Sequence, residues 1–306
     1  MTTDILIRRA RLRGQSDELF DIAVADGRIA EIVPAAAQPG QAAIEIDAGG
    51  RLVTESFANP HLHLCKVYTL AMMDEAALRD YHGQQMGKAM TAIELAARVK
   101  EQYAEGWILE NVRRALREAA RYGNTHIRAF ADVDSKARLE GVKALLRARE
   151  EFRGVVELQV VAFAQDGIVR EPGAAELLRE AMRLGADVVG GIPWIEYTDA
   201  DSAQHVATVF DLAEEFDADV SMLVDDAGDP GLRSLETMAV EAIRRGWQGR
   251  VLAHHARAMA LYPQPYFQKL AALLRQARLG VVSDPHTGPL HARVQELLAE
   301  GVLVCL

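Results

Sequence analysis

The sequence predicts an α/β protein, a (β/α)8 barrel of the TIM type preceded by a small N-terminal β domain. Short, turn-linked strands are predicted in residues 1–50, whereas apolar runs alternate with amphipathic helical stretches in residues 51–306. The alternation yields eight strand candidates, the number that such a barrel requires. An open, doubly wound sheet is the alternative, and it is disfavoured because no glycine-rich phosphate loop follows the first strand.

Residues 1–50 are predicted to form a small β-sandwich-like domain. The segments DILIRRARL and LFDIAVADGRIAEIV alternate in part between apolar and polar residues. Asp26-Gly27 is a strong hairpin-turn signal between two such runs. AIEIDAGGRLV adds a further strand and a Gly-Gly turn, so strands fit this region better than a helix.

Eight apolar runs are predicted as the barrel strands. In order they are LVTESFANPHLHL (52–64), THIRAFADV (125–133), VELQVVAFAQ (156–165), ADVVGGIPWI (186–195), DADVSMLV (217–224), GRVLAHHA (249–256), LGVVSDP (279–285) and GVLVCL (301–306). Residues 91–123, between the first two runs, are predicted as a helix with a capping box at Thr91 and Glu94 and a C-terminal glycine at Gly123.

Composition and charge narrow the class of protein. The chain has 306 residues, of which 50% are hydrophobic and 25% charged, as in globular domains. Its net charge of −10 argues against a nucleic-acid or anionic-membrane surface. Two cysteines, Cys65 and Cys305, exclude a disulfide framework, and we find neither a secretory segment nor an apolar run that could span a bilayer. We expect a cytoplasmic protein that acts on a small molecule, with homo-oligomerisation left open.

Polar residues follow the predicted strands at one end. These residues are Gln165, Asp166, Trp194, Glu196, Asp225, Asp226, His254, His255, Asp284 and His286. Because the carboxyl ends of the parallel strands meet on one face of a barrel, we expect an active site there.

The segment NPHLHLCKVY places His61 and His63 two residues apart near the end of the first barrel strand. Residues i and i+2 of a strand point to the same side, so both imidazoles face one point. The spacing alone is a weak metal signal, and the position at the strand end strengthens it. Imidazole suits zinc and iron, which lower the pKa of a bound water to about 7.

Four segments carry a resemblance to a known family: NPHLHLCK, LQVVAFAQDGI, LGADVVGGIPWIEYT and GRVLAHHARAM. Through nearly its whole length the chain resembles the metal-dependent amidohydrolase superfamily, specifically its cytosine deaminase-like branch. The resemblance implies a hydrolase that acts on C–N bonds of a nitrogen-rich small molecule, a deaminase or aminohydrolase of a pyrimidine-like heterocycle. It also implies one divalent metal ion, zinc or iron, with manganese as an alternative.

The resemblance assigns roles to particular residues. His61 and His63 match the first two metal ligands of the branch, and His255 matches the histidine after strand six that contacts the attacking hydroxide. Gln165 matches the glutamine that hydrogen-bonds the amide-like edge of the substrate, and Lys66 matches a lysine often found after the histidine pair.

The sequence also departs from the pattern of the branch. Leu223 stands where strand five should offer a histidine ligand, and Asp226 stands at the position of the proton-shuttling glutamate. Phe130 and Trp194 replace two family histidines, so we expect them to line a more apolar substrate pocket. The chain ends inside predicted strand eight, and the resemblance places a metal-binding aspartate just beyond Leu306. We therefore expect an incomplete barrel with at most two of the four family ligands.

Two alternatives follow from these departures. One is a catalytically degenerate relative that binds a small molecule without metal turnover. The other is a changed metal site in which Asp225, Asp226 or Cys65 replaces the lost ligand. Strand alternation predicts that His254 faces away from His255, and His205 is predicted to lie on a helix surface.

Overall fold

The computed structural model describes residues 3–15, 18–35, 40–72, 99–284 and 289–306. The chain divides into two units, Met1–Phe57 and Ala58–Leu306. Each unit contains one β-sheet.

The N-terminal unit is a four-stranded mixed sheet in the order β3-β2-β1-β4. Its strands are β1 (Thr3–Ala10), β2 (Phe20–Ala25), β3 (Arg28–Pro34) and β4 (Ala42–Asp47). Strand β1 pairs antiparallel with β2 and parallel with β4. The β2–β3 hairpin turns at Asp26 and Gly27, whose φ angles of 51° and 71° are those of a turn that matches the strand twist.

The second unit is built on eight strands in consecutive order, β5 to β12. They are β5 (Phe57–Leu62), β6 (Asn124–Asp132), β7 (Glu157–Ala164), β8 (Val188–Gly191), β9 (Asp219–Val224), β10 (Val251–His255), β11 (Gly280–Val282) and β12 (Val304–Cys305). Pairing is parallel at every junction from β6 to β12. The predicted (β/α)8 fold class is confirmed.

Helices connect the strands, as the alternating pattern predicts. They are α1 (Glu105–Arg121), α2 (Glu140–Glu151), α3 (Ala174–Arg183), α4 (Asp199–Phe216), α5 (Ser234–Arg244), α6 (Gln264–Gln276) and α7 (Val294–Ala299). Short 3-10 helices follow β5, β8 and β10, at Leu64–Lys66, Pro193–Ile195 and Arg257–Leu261. None of the helices described is long and apolar enough to cross a bilayer.

The predicted helix over 91–123 differs from the structure. Thr91 and Glu94 lie outside the described residues, and the chain turns after Lys100 before α1 begins at Glu105. Two hydrogen bonds stabilise this turn. Trp107 Nε1 donates to the Gln102 carbonyl at 2.9 Å, and the Glu105 N–H donates to Glu140 Oε2 at 3.1 Å.

Both faces of the barrel sheet are buried, which explains the nearly continuous apolar strands. Residues pointing outward, such as Val160, Val220 and Met222, join the large core beneath the helices. Residues pointing inward form a second, smaller cluster of Phe130, Val161, Phe163, Val188, Ile192, Ile195 and Leu223. The candidate site lies where inward-pointing polar residues meet this inner cluster.

Candidate active site

His61 on β5 and His63, directly after this strand, both point into the barrel, as their spacing predicts. Their ring centroids are 4.9 Å apart with the rings nearly perpendicular. Phe130 on β6 packs against both, with centroid distances of 4.8 and 5.2 Å. Phe130 is fully buried, so it forms the apolar support of the histidine pair.

His254, which strand alternation predicted to face away from His255, is a further member of this cluster. Its Nδ1 lies 3.0 Å from Nδ1 of His61, and its Nε2 lies 2.6 Å from Oγ of Ser221 on β9. His255 also reaches the cluster, with its ring centroid 4.8 Å from that of His61. Strand alternation fails here because the backbone at His255 and Ala256 is left-handed, with φ of 69° and 49°. The prediction that His254 faces away from His255 is therefore wrong.

The chemistry of the histidine pair suits metal binding. Burial lowers the pKa of His61 to about 3, and burial lowers the pKa of His63 well below its ordinary value. Both rings are therefore neutral near pH 7, which is the form of imidazole that binds a metal. Nδ1 of His63 is buried and has no hydrogen-bond partner in the described part of the chain.

The rest of a metal site is absent from the described residues. Leu223 is buried at the end of β9, directly beside His254 in the strand register, and packs in the inner apolar cluster. Within the described ranges, no group of three or more His, Cys, Asp or Glu side chains is placed to hold a metal ion. His61 and His63 thus fit two donor positions, and these residues do not complete the set.

Two side chains considered as replacement ligands have structural partners. Asp225 accepts hydrogen bonds from the Ser234 N–H and hydroxyl and from the Leu235 N–H, at 2.6 to 3.1 Å. Cys65 is buried, with Sγ 3.3 Å from the Asp132 N–H, and burial raises its pKa to about 12. Asp225 therefore anchors the start of α5, and Cys65 behaves as a packed thiol.

A second cluster lies after β9, β10 and β11. His255 Nδ1 is 2.8 Å from Asp284 Oδ1 and 4.0 Å from Asp226 Oδ1. Arg257 joins both carboxylates, at 3.1 Å from Asp226 and 2.9 Å from Asp284. The sequence pattern predicted His255 and Asp226 here but gave no signal for Arg257. His286 lies outside the described residues.

Gln165 and Lys66 lie together at the ends of β7 and β5. Lys66 Nζ is 3.0 Å from both carboxylate oxygens of Asp132 and also donates to Oε1 of Gln165. Trp194 follows β8, packs against the inner apolar cluster and is half-buried. Its Nε1 is buried without a hydrogen-bond partner among the residues described.

Glu196 and His205 form a buried structural pair rather than part of the site. His205 Nδ1 lies 2.7 Å from Glu196 Oε1, and His205 Nε2 accepts from the Ile192 N–H at 3.1 Å. Both side chains are fully buried, so the prediction that His205 is a surface residue is wrong. The ring fits because Gly191 lies opposite, where a Cβ would overlap Nε2 of His205.

We expect acid to weaken the fold through Glu196. Burial alone would raise its pKa, but hydrogen bonds from His205 and from the N–H groups of Ile168, Val169 and Arg170 lower it to about 2. The stabilisation is complete above the ordinary pKa of 4.5 and is lost as the pH falls from 4.5 towards 2. It amounts to at most about 3 kcal/mol.

Urea unfolding of the wild type and Glu196→Gln between about pH 6 and pH 2 checks this expectation. The difference in unfolding free energy between them should shrink as the pH falls. Glu180→Gln, at an exposed position, is the control. A difference that stays constant with pH contradicts the assignment.

The parallel barrel carries histidines, carboxylates and an amide at the carboxyl ends of its strands, which is the arrangement of a barrel enzyme. Residues 45–306 match the model of the Amidohydrolase family, and the chain belongs to this family.

Within the family, the resemblance to the cytosine deaminase-like branch is confirmed by similar proteins. N-isopropylammelide isopropyl amidohydrolase of Pseudomonas sp. (strain ADP) is 29% identical, over 98% of this chain and 72% of that enzyme. The structure of 5-methylcytosine deaminase from Klebsiella pneumoniae liganded with phosphonocytosine is 32% identical with a TM-score of 0.87, over 98% of this chain and 74% of that one.

A further solved structure has the same fold. N-isopropylammelide isopropylaminohydrolase from Burkholderia multivorans ATCC 17616 is 29% identical with a TM-score of 0.79, over 99% of this chain and 74% of that one. The chain spans 60% and 58% of the length of two further curated relatives.

Proposed function

We propose that the protein hydrolyses a C–N bond of a nitrogen-rich heterocycle and releases ammonia or a larger amine. The observation that carries the proposal is the cluster of His255, Asp284 and Asp226 beside His61 at the carboxyl end of the barrel. The likeness to a deaminase and to isopropylammelide hydrolases supports a heterocyclic substrate.

His255 is the residue proposed to orient the attacking water. Asp284 accepts from Nδ1 of His255 at 2.8 Å, which holds the ring proton on that nitrogen. Nε2 then carries a lone pair that can accept a hydrogen bond from water. Asp226, held in place by Arg257, is proposed to transfer protons between the water and the leaving nitrogen.

Gln165, Trp194, Phe130 and Lys66 are proposed to form the substrate-binding side of the site. Gln165 offers an amide edge, and Trp194 an aromatic face and an N–H donor. The ring of Phe130 packs against the rings of His61 and His63.

A divalent ion is proposed as the cofactor, with His61 and His63 as two of its donors. Such an ion would supply Lewis-acid activation of the attacking water.

A second candidate function is binding of a heterocycle without turnover. The observation that favours it is Leu223, a buried apolar residue where the family places a histidine ligand. This candidate retains Gln165 and Trp194 as ligand contacts and assigns no role to a metal.

Leu223→His should strengthen metal binding. The substitution adds a further imidazole beside His254, on the neighbouring strand, where the inner face already holds His61. We expect the affinity for Zn²⁺ to rise by about 10-fold or more, at least what an outer-shell partner of a metal site contributes.

Isothermal titration with Zn²⁺ measures this change. Leu223→Asn, which is polar but lacks an imidazole, is the matched control. Equal zinc affinity in Leu223→His and Leu223→Asn would count against a metal position at the His61–His63 pair.

Metal analysis combined with an amine-release assay tests the proposed function. The purified wild type is assayed with cytosine, 5-methylcytosine and N-isopropylammelide, and its zinc, iron and manganese contents are measured. We expect release of ammonia or amine from one of these rings, lost together with bound metal in His61→Ala. A wild type that binds a ring and never consumes it supports the binding candidate and overturns the enzyme proposal.

A further inference from the structure

The carboxamide of Gln165 is held in one orientation by a charged pair. Lys66 Nζ lies 3.0 Å from each oxygen of Asp132 and donates a further hydrogen bond to Gln165. An ammonium group has donors and no acceptor, so the atom of Gln165 that faces it must be Oε1. The amide nitrogen Nε2, with two N–H donors, is the group left for a ligand.

The charged pair is well suited to hold this orientation. Asp132 is fully buried, and the side chain of Lys66 is 17% exposed. Burial alone would raise the pKa of Asp132, but the charges of Lys66 and Lys100 lower it. The Tyr103 hydroxyl donates to the same carboxylate at 3.3 Å, which further restricts its position.

An unpaired donor lies after the neighbouring strand. Strand β7 pairs with β8, and Ala164, directly before Gln165, lies opposite Gly191. Trp194 follows Gly191 by three residues, and its buried Nε1 has no hydrogen-bond partner in the described part of the chain. A buried N–H without an acceptor is costly, so a ligand acceptor would satisfy it.

We propose that Lys66 and Asp132 are positioning residues that turn the N–H groups of Gln165 towards the ligand. With Trp194 Nε1, they make the site select a heterocycle whose facing edge carries hydrogen-bond acceptors, such as a ring carbonyl oxygen beside an unprotonated ring nitrogen. If the ring carries an amino group at that edge, its N–H donors face the N–H donors of Gln165 and Trp194, and no hydrogen bond forms. This inference rests on the proposed function because it assigns a substrate class to the same site.

Calorimetric binding of two matched rings tests the inference. Cytosine carries a carbonyl oxygen where 2,4-diaminopyrimidine carries an amino group. The wild type should bind cytosine about 10-fold or more tightly than the diamine, because a buried donor without an acceptor is costly.

The test variant is Lys66→Met/Asp132→Asn, which removes both charges together. Removing them together avoids leaving Asp132 buried and unpaired, which would endanger folding. In this variant the Gln165 amide can rotate, so the preference for cytosine should fall to about 2-fold or less. Lys143→Met, an exposed lysine in α2, is the control and should keep the wild-type preference.

The outcomes separate this inference from the proposed function. A wild type that shows the preference but releases no ammonia or amine overturns the proposed hydrolysis and supports the positioning role. Equal binding of the two rings by the wild type, or no binding of either, contradicts the inference. An unchanged preference in a folded double variant, with its melting temperature near that of Lys143→Met, also contradicts it.

Discussion

His255→Asn should lower kcat by about 10²–10⁴-fold, the usual contribution of a positioned acid–base group. The side chain of His255 lies 2.8 Å from Asp284 and 4.0 Å from Asp226, and its loss removes the group that we propose to orient the water. Asparagine is chosen because it tolerates the left-handed backbone at this position, where φ is 69°. The expected loss is therefore chemical and not conformational.

Steady-state kinetics with the ring that the wild type consumes gives the measurement. His126→Asn, at the opposite end of β6 and exposed, is the matched control and should keep wild-type kcat. A His255→Asn variant with kcat within about 3-fold of the wild type would exclude His255 from the acid–base chemistry.

Lys100→Met should strongly destabilise the barrel. Lys100 is fully buried, with Nζ 2.8 Å from Asp134 and 2.7 Å from Asp166. Burial alone would lower its pKa, but Asp132, Asp134 and Asp166 raise it, so it is charged in the folded state. Methionine keeps the length of the side chain and removes the counter-ion of Asp134 and Asp166, at a cost of about 3–5 kcal/mol.

Urea unfolding gives the free-energy difference for Lys100→Met. Lys136→Met is the control, because the side chain of Lys136 is 45% exposed and 3.8 Å from Glu101. We expect the control to change stability by less than about 0.5 kcal/mol. If Lys100→Met lowers the free energy of unfolding by less than about 1 kcal/mol, the burial of these carboxylates does not require the charge of Lys100.

The fold was predictable because its signals are local. Apolar runs of strand length separated by amphipathic helices predict the barrel, and β5 to β12 appear in that order. The neighbouring positions of His61 and His63 were also predicted from their spacing of two residues at the end of β5.

Residues that depend on local backbone geometry or distant partners were not predictable. The inward position of both His254 and His255 depends on a left-handed turn that alternation does not anticipate. His205 is on a helix in a polar stretch, and its burial depends on the absence of a Cβ at Gly191. The bridge of Arg257 between Asp226 and Asp284 joins the segments that follow three different strands, β9, β10 and β11. None of these three features produces a periodic pattern of apolar and polar residues in the sequence.

The resemblance to the family predicted the roles of the site residues, and the structure shows which side chains contact them. Lys66 and Gln165 were expected at the substrate, whereas the contacts of Lys66 with both Asp132 and Gln165 depend on three strand ends that lie together only in the folded barrel. Leu223 was predicted to stand where the branch has a histidine ligand. Its packing in the inner apolar cluster explains how the barrel accommodates a leucine there.

Incorporation of heavy oxygen from isotopically labelled water tests hydrolysis most directly. The purified protein is incubated in labelled water with cytosine, 5-methylcytosine or N-isopropylammelide, and the mass of the ring product is measured by mass spectrometry. Hydrolysis of the C–N bond leaves the heavy oxygen on the ring carbon that lost the amine, and we expect one product ring to carry it. Recovery of all three rings unchanged, under conditions in which calorimetry shows one of them bound, would contradict this expectation.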